Sequence, residues 1–264
     1  MGYGLTYTPY NTNLFLDARG INPDAAAFIA AAGITNSTEI NAVNALVNGL
    51  QADGIWTKMK AIYPFVGGTA TTHKYNLKDP RDLDAAFRLV FNGGWTHSST
   101  GATPNGTNGY ADTNLSPLSV LSTSSAHLSF YSRTNINQAT YDVCSGQHYS
   151  LLLYNNSFIA NLETTGLYNA TQSITNTTGY YIASRVNNTN VNGYRNGSKT
   201  INNVAQLNAT LTANNIILAS RAAVSLFSTK QNAFTSIGDG LTDTEAVNLY
   251  TRVQAYQTAL SRQV

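Results

Sequence analysis

Acidic residues are the first place to look for catalysis, because hydrolysis of a glycosidic bond needs two carboxylates about 5 to 9.5 Å apart across that bond. The acids that cluster are Asp79, Asp82 and Asp84, then Asp239, Asp243 and Glu245, and they fall at turns and at a helix start. Turn formation and helix capping account for them there. No stretch carries the Glu-x-Asp-x-x-Glu run that would set carboxylates along one face of a strand. Cys144 and His148 are four residues apart in a loop-to-strand segment, a spacing that does not fix a thiolate–imidazole pair, and no third group orients them. Cys144 reads instead as a small buried side chain. His73, His97, His127 and His148 lie 21 to 30 residues apart, so no short-spaced pair offers itself to zinc. No catalytic residue and no metal ligand are expected.

Binding chemistry has better material. Sugars are held by aromatic faces that stack on C–H surfaces, beside planar amides that both donate and accept hydrogen bonds. Trp95, Tyr110, Tyr131, Tyr180, Tyr181 and Tyr194 supply aromatic faces. The same side chains also suit cores, cross-strand pairs and subunit interfaces, where many of the 16 tyrosines of a β-protein belong.

The elements that position such residues follow from composition and period. Charged residues make up 11% of the 264, where about a quarter is usual, while 31 Asn and 33 Thr take over the polar surface. Thr, Tyr and Val favour pleated strands, and Asn and Gly favour the turns between them. The net charge of +2, spread along the chain, is too small for the counterion release that drives nucleic-acid binding. No apolar stretch approaches the ~20 residues of a membrane span, and Met1 to Tyr10 lacks the pattern of a signal peptide. A lone cysteine forms no internal disulfide, which fits assembly inside a bacterial cytoplasm.

Along the chain, residues 1–21 read as an extended arm. Asn22-Pro23-Asp24 starts an Ala-rich helix that Gly33 stops, and Asn36 to Glu39 caps a second helix ending near Asp53-Gly54. Ile55, Met59, Ile62 and Tyr63 predict a third short helix closed by Pro64. Residues 22–68 thus form a helical module, and from residue 69 the period switches to two. Strands are predicted at 86–91, 110–113, 127–133, 149–154, 157–162, 179–185, 190–195 and 216–220, with tight turns at Asn155-Asn156 and Asn196-Gly197. Thr242-Asp243-Thr244-Glu245 is a capping box that opens a C-terminal helix.

Three segments carry a family resemblance. Thr96 to Thr113, with its Asn108-Gly109-Tyr110-Ala111-Asp112-Thr113 core, resembles the opening of laminin-G-like, concanavalin A-like domains. Ile182-Ala183-Ser184-Arg185 with Asn192-Gly193-Tyr194-Arg195-Asn196-Gly197 resembles their paired strands, and Ser236 to Glu245 their closing signature before a helix. The fold this implies is a mainly β, concanavalin A-like (laminin-G-like) jelly-roll sandwich over residues 69–264, with the small helical module ahead of it and the helix at its end. Such domains often hold calcium through Asp, Asn and loop carbonyls, which singles out Asp112 and Asp142, although neither lies in an acid-rich loop.

Gly54 to Phe65 followed by Leu77 to Asp82 resembles virion-associated proteins of tailed phages. This resemblance implies a bacteriophage structural protein on the particle surface, as capsid decoration, head fibre or tail fibre. Other virion proteins and further copies of the chain would be its partners. A glycan-specific receptor-binding lectin of the tail, contacting a host surface glycan, is the competing reading, and a polysaccharide-degrading enzyme ranks last.

Overall fold

The computed structural model describes residues 20–146, 149–163, 169–206, 211–221, 223 and 225–264. Nearly all of the expected arm 1–21 lies outside these, as does His148.

Helix α1 (Pro23–Ala32) starts where the sequence places it. The Asn22 side chain accepts from the Asp24 amide, Pro23 fills the first turn, and Gly33 turns left-handed at φ 67° to end it. Helix α2 (Ser37–Ala52) is capped by Asn36, which accepts from the Thr38 and Glu39 amides. The chain then departs from the expected third helix. Only Trp56–Lys58 make a 3₁₀ turn, and Met59–Tyr63 is strand β1, hydrogen-bonded into a sheet. Met59, Ala61, Ile62 and Tyr63 are all buried, and a run apolar on both sides suits a strand covered on both faces as well as a helix. Residues 22–68 therefore contribute a strand to the sandwich and do not stand apart from it.

Beyond β1 come helix α3 (Ala70–His73) and strands β2 (Val90–Asn92), β3 (Trp95–Ser98), β4 (Gly101–Pro104) and β5 (Tyr110–Asp112), then helix α4 (Pro117–Val120). Strands β6 (Ala126–Ser132), β7 (Val143–Ser145), β8 (Tyr149–Tyr154), β9 (Ser157–Leu162), β10 (Thr171–Ser173) and β11 (Gly179–Arg185) follow. The chain closes with β12 (Asn190–Arg195), β13 (Ser198–Ala205), β14 (Ile217–Leu218), β15 (Asn232–Gly238) and helix α5 (Asp243–Ala259). The predicted strand at 86–91 is shorter and later, because Asp84–Ala86 form a 3₁₀ turn.

Among the described residues these strands build two antiparallel sheets. One has eight strands in the order β13-β12-β11-β6-β15-β4-β3, with β1 also on β15; the other has seven, β10-β9-β8-β7-β14-β5-β2. The predicted sandwich is thus present, with the C-terminal helix in place. It also has a third layer. Leu128, Phe130, Tyr181, Ala183 and Ile237 meet Leu151, Leu153, Phe158 and Leu162 between the sheets. Tyr131, Tyr180, Ile182, Tyr194 and Phe234, on the opposite face of the eight-stranded sheet, pack against α1, α2 and α5. Every residue of β6, β11 and β15 is consequently buried. A sheet covered on both faces loses the in–out alternation of an exposed one.

Helix α5 is seated by a reciprocal capping box between Thr242 and Glu245 and by Leu249, Val253 and Tyr256, all buried. Its neighbour on the sheet is the β12–β13 hairpin, where a Cβ on Gly197 (φ 77°) would stand 2.6 Å from the Tyr250 ring. After the helix, Arg262 is buried. Its guanidinium donates to the carbonyls of Pro64 (2.7 Å), Phe65 (2.6 Å), Ser99 (3.2 Å) and Ala233 (3.1 Å) and to Gln257 Oε1 (2.6 Å).

Two histidines are buried neutral. His127 donates from Nδ1 to the Asp239 carbonyl (2.7 Å) and accepts at Nε2 from Ser236 Oγ (3.0 Å), and burial lowers its pKa to about 4. His73 lies against His97, Nδ1 to Nδ1 at 2.9 Å, and burial, then His97 and Arg262, lowers its pKa to about 3.

Two outcomes follow. Leu249→Ala should cost roughly 2–5 kcal/mol in urea denaturation, and should do so in one transition that reports helices and sheets together. Because the unfolded histidines titrate near pH 6.5, the unfolded state takes up protons first as pH falls. Stability should be full above about pH 6.5 and decline as pH falls toward 4 and then 3, and His127→Gln should flatten the His127 part of that decline in a series of melting curves.

Candidate functional site

Most of the aromatic residues singled out in the sequence are interior. Tyr131, Tyr180 and Tyr194 face the helices and Tyr181 lies between the sheets, each at most 1% exposed. Their hydroxyls are largely committed: Tyr131 to Gln254 Oε1 (3.0 Å), Tyr194 to Asp243 Oδ1 (2.7 Å) and Tyr181 to the Asn176 carbonyl (3.1 Å). Burial pushes the Tyr181 phenol up to about 12. None of these four presents a ring face to a ligand, because both faces of the eight-stranded sheet are covered. Trp95 and Tyr110 are half-buried and do come together, the indole Nε1 donating to the Tyr110 carbonyl (3.2 Å) and to that of Asn92 (3.1 Å). Phe91 and His97 complete this cluster, with ring centroids 5.2 and 6.2 Å from Trp95.

Apart from buried Glu163, whose oxygens find no hydrogen-bond partner among the described residues, the carboxylates are engaged with the protein. Asp142 is fully buried, accepting from the Leu153 amide (2.7 Å), Ser228 Oγ (3.2 Å) and Lys230 Nζ (3.2 Å). Burial raises its pKa, against the pull of Lys230. An internal ammonium therefore lies against the Asp142 carboxylate. Asp112 accepts from the Asn114 amide (2.7 Å) and from Asn215 Nδ2 (2.9 Å), a loop-stabilising arrangement. Among the described residues no three His, Cys, Asp or Glu side chains gather as a metal would require. Asp79 pairs with Arg81, Asp82 with Lys74 and Arg88, Asp239 with Lys60, and Glu245 with Lys58. Cys144 is buried, its Sγ 3.0 Å from the Ser220 carbonyl.

The outer face of the seven-stranded sheet offers different chemistry. Cross-strand partners point to the same side, and the register pairs Leu152 with Ile159, Tyr154 with Ser157, Ile159 with Thr171 and Ser157 with Ser173. These residues share the outer face, while Leu151, Leu153, Phe158 and Ala160 alternate into the core between the sheets. Tyr141, Leu152, Tyr154 and Ile159 line a groove of about 250 Å³. The two tyrosine rings stand nearly perpendicular, 6.3 Å apart at 79°. A second depression of about 520 Å³ adjoins it, lined by Asn155, Asn156, Ser157, Ser173, Ile174 and Thr175.

The β8–β9 hairpin joins the two. Asn155 and Asn156 both adopt positive φ, 48° and 58°, the two-residue turn that their sequence predicts. The turn is braced by amide bonds from Asn155 to the Gln138 carbonyl (3.3 Å) and from Asn156 to Asn137 Oδ1 (2.9 Å), and it accepts from the Ile174 amide (2.8 Å). Tyr141 and Tyr154 were not among the aromatic candidates. The signal for Tyr154 lay in the run Tyr149-Ser150-Leu151-Leu152-Leu153-Tyr154, apolar at both odd and even positions next to a hairpin turn, which implies an apolar outer face.

No family profile and no curated protein matches the sequence. Solved structures do resemble the fold. A mutant of HCR/D superimposes with a TM-score of 0.50 at 10% identity, covering 75% of this chain and 53% of that one. The binding domain of botulinum neurotoxin serotype D gives 0.48 at 10% identity, over 75% and 52%. Domain 4 of AbnA, a GH43 extracellular arabinanase from Geobacillus stearothermophilus, in complex with arabinotriose, gives 0.44 at 14% identity, over 73% and 98%. The chain spans about half the length of the first two. At these identities the likeness concerns the fold. Among the described residues no helix is long and apolar enough to cross a membrane.

The buried ion pair gives a direct check on Asp142 as a calcium candidate. Lys230→Met should cost about 3–5 kcal/mol in chemical denaturation by stranding the Asp142 carboxylate, and adding calcium to the variant should not restore the loss.

Proposed function

We propose that this chain is a non-catalytic, adhesive module that binds a glycan on the outer face of its seven-stranded sheet. The observation that carries this reading is the groove of Tyr141, Leu152, Tyr154 and Ile159 opening onto a depression rimmed by amides and hydroxyls. A sugar ring has apolar C–H faces and a polar hydroxyl edge, and this surface offers both partners within one hairpin. The ion pairing of the clustered acids supports binding over hydrolysis, since carboxylates held by Lys and Arg at turns and caps do not flank a common opening.

The setting we infer is the surface of a bacteriophage particle, on a head or a tail, where the low-charge exterior of this chain suits packing against other virion proteins and further copies of itself. Density for this protein at the surface of purified virions in cryo-electron microscopy is the expected outcome, and virions without it would remove the setting while leaving the glycan reading intact.

The glycan reading is tested on an array with the full chain. Tyr154 is half-buried at the groove edge, so Tyr154→Ala should weaken the best array ligand tenfold or more and leave the melting temperature within a few degrees of the parent. Unchanged binding by this variant would remove the groove from consideration.

A further inference from the structure

We infer that the ligand of this face is an uncharged oligosaccharide of which at least two consecutive units are held at once, laid across the Asn155–Asn156 hairpin. This rests on the glycan reading above and specifies its substrate class.

The two depressions are too different to do the same job. The first has an apolar floor, Leu152 and Ile159, with the tyrosine rings set at 79° to each other. It matches the C–H face of one sugar ring. The second adds to Ile174 two amides and three hydroxyl side chains, Asn155, Asn156, Ser157, Ser173 and Thr175, which match the hydroxyl edge of a neighbour. At about 250 Å³ the first falls short of the roughly 300–1,000 Å³ typical of small-molecule sites, so a ligand confined to it would be only partly enclosed. Tyr154 is paired directly with Ser157, and Ser157 with Ser173. Three adjacent strands at about 4.8 Å spacing make a platform roughly 10 Å across, the scale of linked sugar rings and not of one. The chain runs without a break from the wall of one depression, Tyr154, into the wall of the other at Asn155.

Charge sets the class. Among the described residues lining either depression there is no Asp, Glu, Lys, Arg or His. The nearest ionised pair along the chain, Asp142 with Lys230, is fully buried and mutually satisfied. A uronic acid, sialic acid or sulfated sugar would shed water here without gaining a counter-charge, which costs binding energy. Uncharged sugars meet no such cost.

The test uses the full chain, labelled for NMR, with the best array glycan cut to fragments of one to four units and with acidic oligosaccharides of the same lengths. Affinity should rise at least tenfold from one unit to two, the resonances of Tyr154 and Ser173 should both move, and raising salt to ~0.5 M should leave the affinity unchanged. Ser173→Ala, at an exposed position, should reduce the gain from the second unit. Saturation by a single unit, or a requirement for an acidic sugar lost in salt, would overturn this inference and leave the glycan reading standing. Silence of every glycan on the array at millimolar concentration would overturn both.

Discussion

The constraint on which this structure depends is that its eight-stranded sheet is covered on both faces. One face meets the second sheet and the other meets three helices from the two ends of the described chain. Strands β6, β11 and β15 therefore have no solvent side, and their polar groups are paired inside, the Tyr180 hydroxyl being an exception. The serine pair Ser129–Ser236 (2.7 Å) joined to His127, the Ser184 hydroxyl on the Leu241 carbonyl (2.8 Å) and the tyrosine hydroxyls tied to α5 are the result. Arg262 and Arg185 extend the same solution to whole cations, each buried and donating to backbone carbonyls. A chain with few charges and many amides and hydroxyls suits such an interior, because neutral groups are less costly to desolvate.

That layering also explains what could and could not be read from the sequence. Local signals were legible: the Asn22 and Asn36 caps, the Thr242–Glu245 box, the two hairpin turns, and strands 149–154, 157–162, 179–185 and 190–195 all stand where their residues indicate. The caps, the box and the turns depend on contacts within a few residues, and the four strands form two hairpins of neighbouring chain. Strand β1 was not legible, because Met59 to Tyr63 is apolar nearly throughout and only the pairing with β15, more than 170 residues away, makes it extended. The same non-local fact misdirected the choice of aromatic residues. Tyr131, Tyr180 and Tyr194 would line an open surface if the sheet had one, and it is the helices, remote in sequence from these strands, that cover them.

The seven-stranded sheet is treated differently. Its inner face completes the sandwich core, while its outer face around β8, β9 and β10 carries, among the described residues, the small cluster of Tyr141, Cys144, Leu152 and Ile159 beneath the groove. A pleated surface of this kind fixes side-chain positions at regular intervals, which suits recognition of a ligand that is itself a repeat of rigid rings. The preorganisation comes from the backbone: two left-handed asparagines and the amide bonds around them hold the rim.

Placement of this rim on a hairpin that bears little of the core has a consequence for diversification. Asn155, Asn156, Ser173 and Thr175 are exposed, and a substitution at any of them leaves both cores as they are, provided that the turn pair still accepts positive φ. Tyr131 or Tyr180 could not be exchanged so cheaply, since each fills space shared with the helices. Selection on such a scaffold can therefore rewrite which ligand is recognised by drift along one hairpin and one short edge strand, at a tempo set by the ligand and decoupled from the slow change that a doubly covered sheet permits.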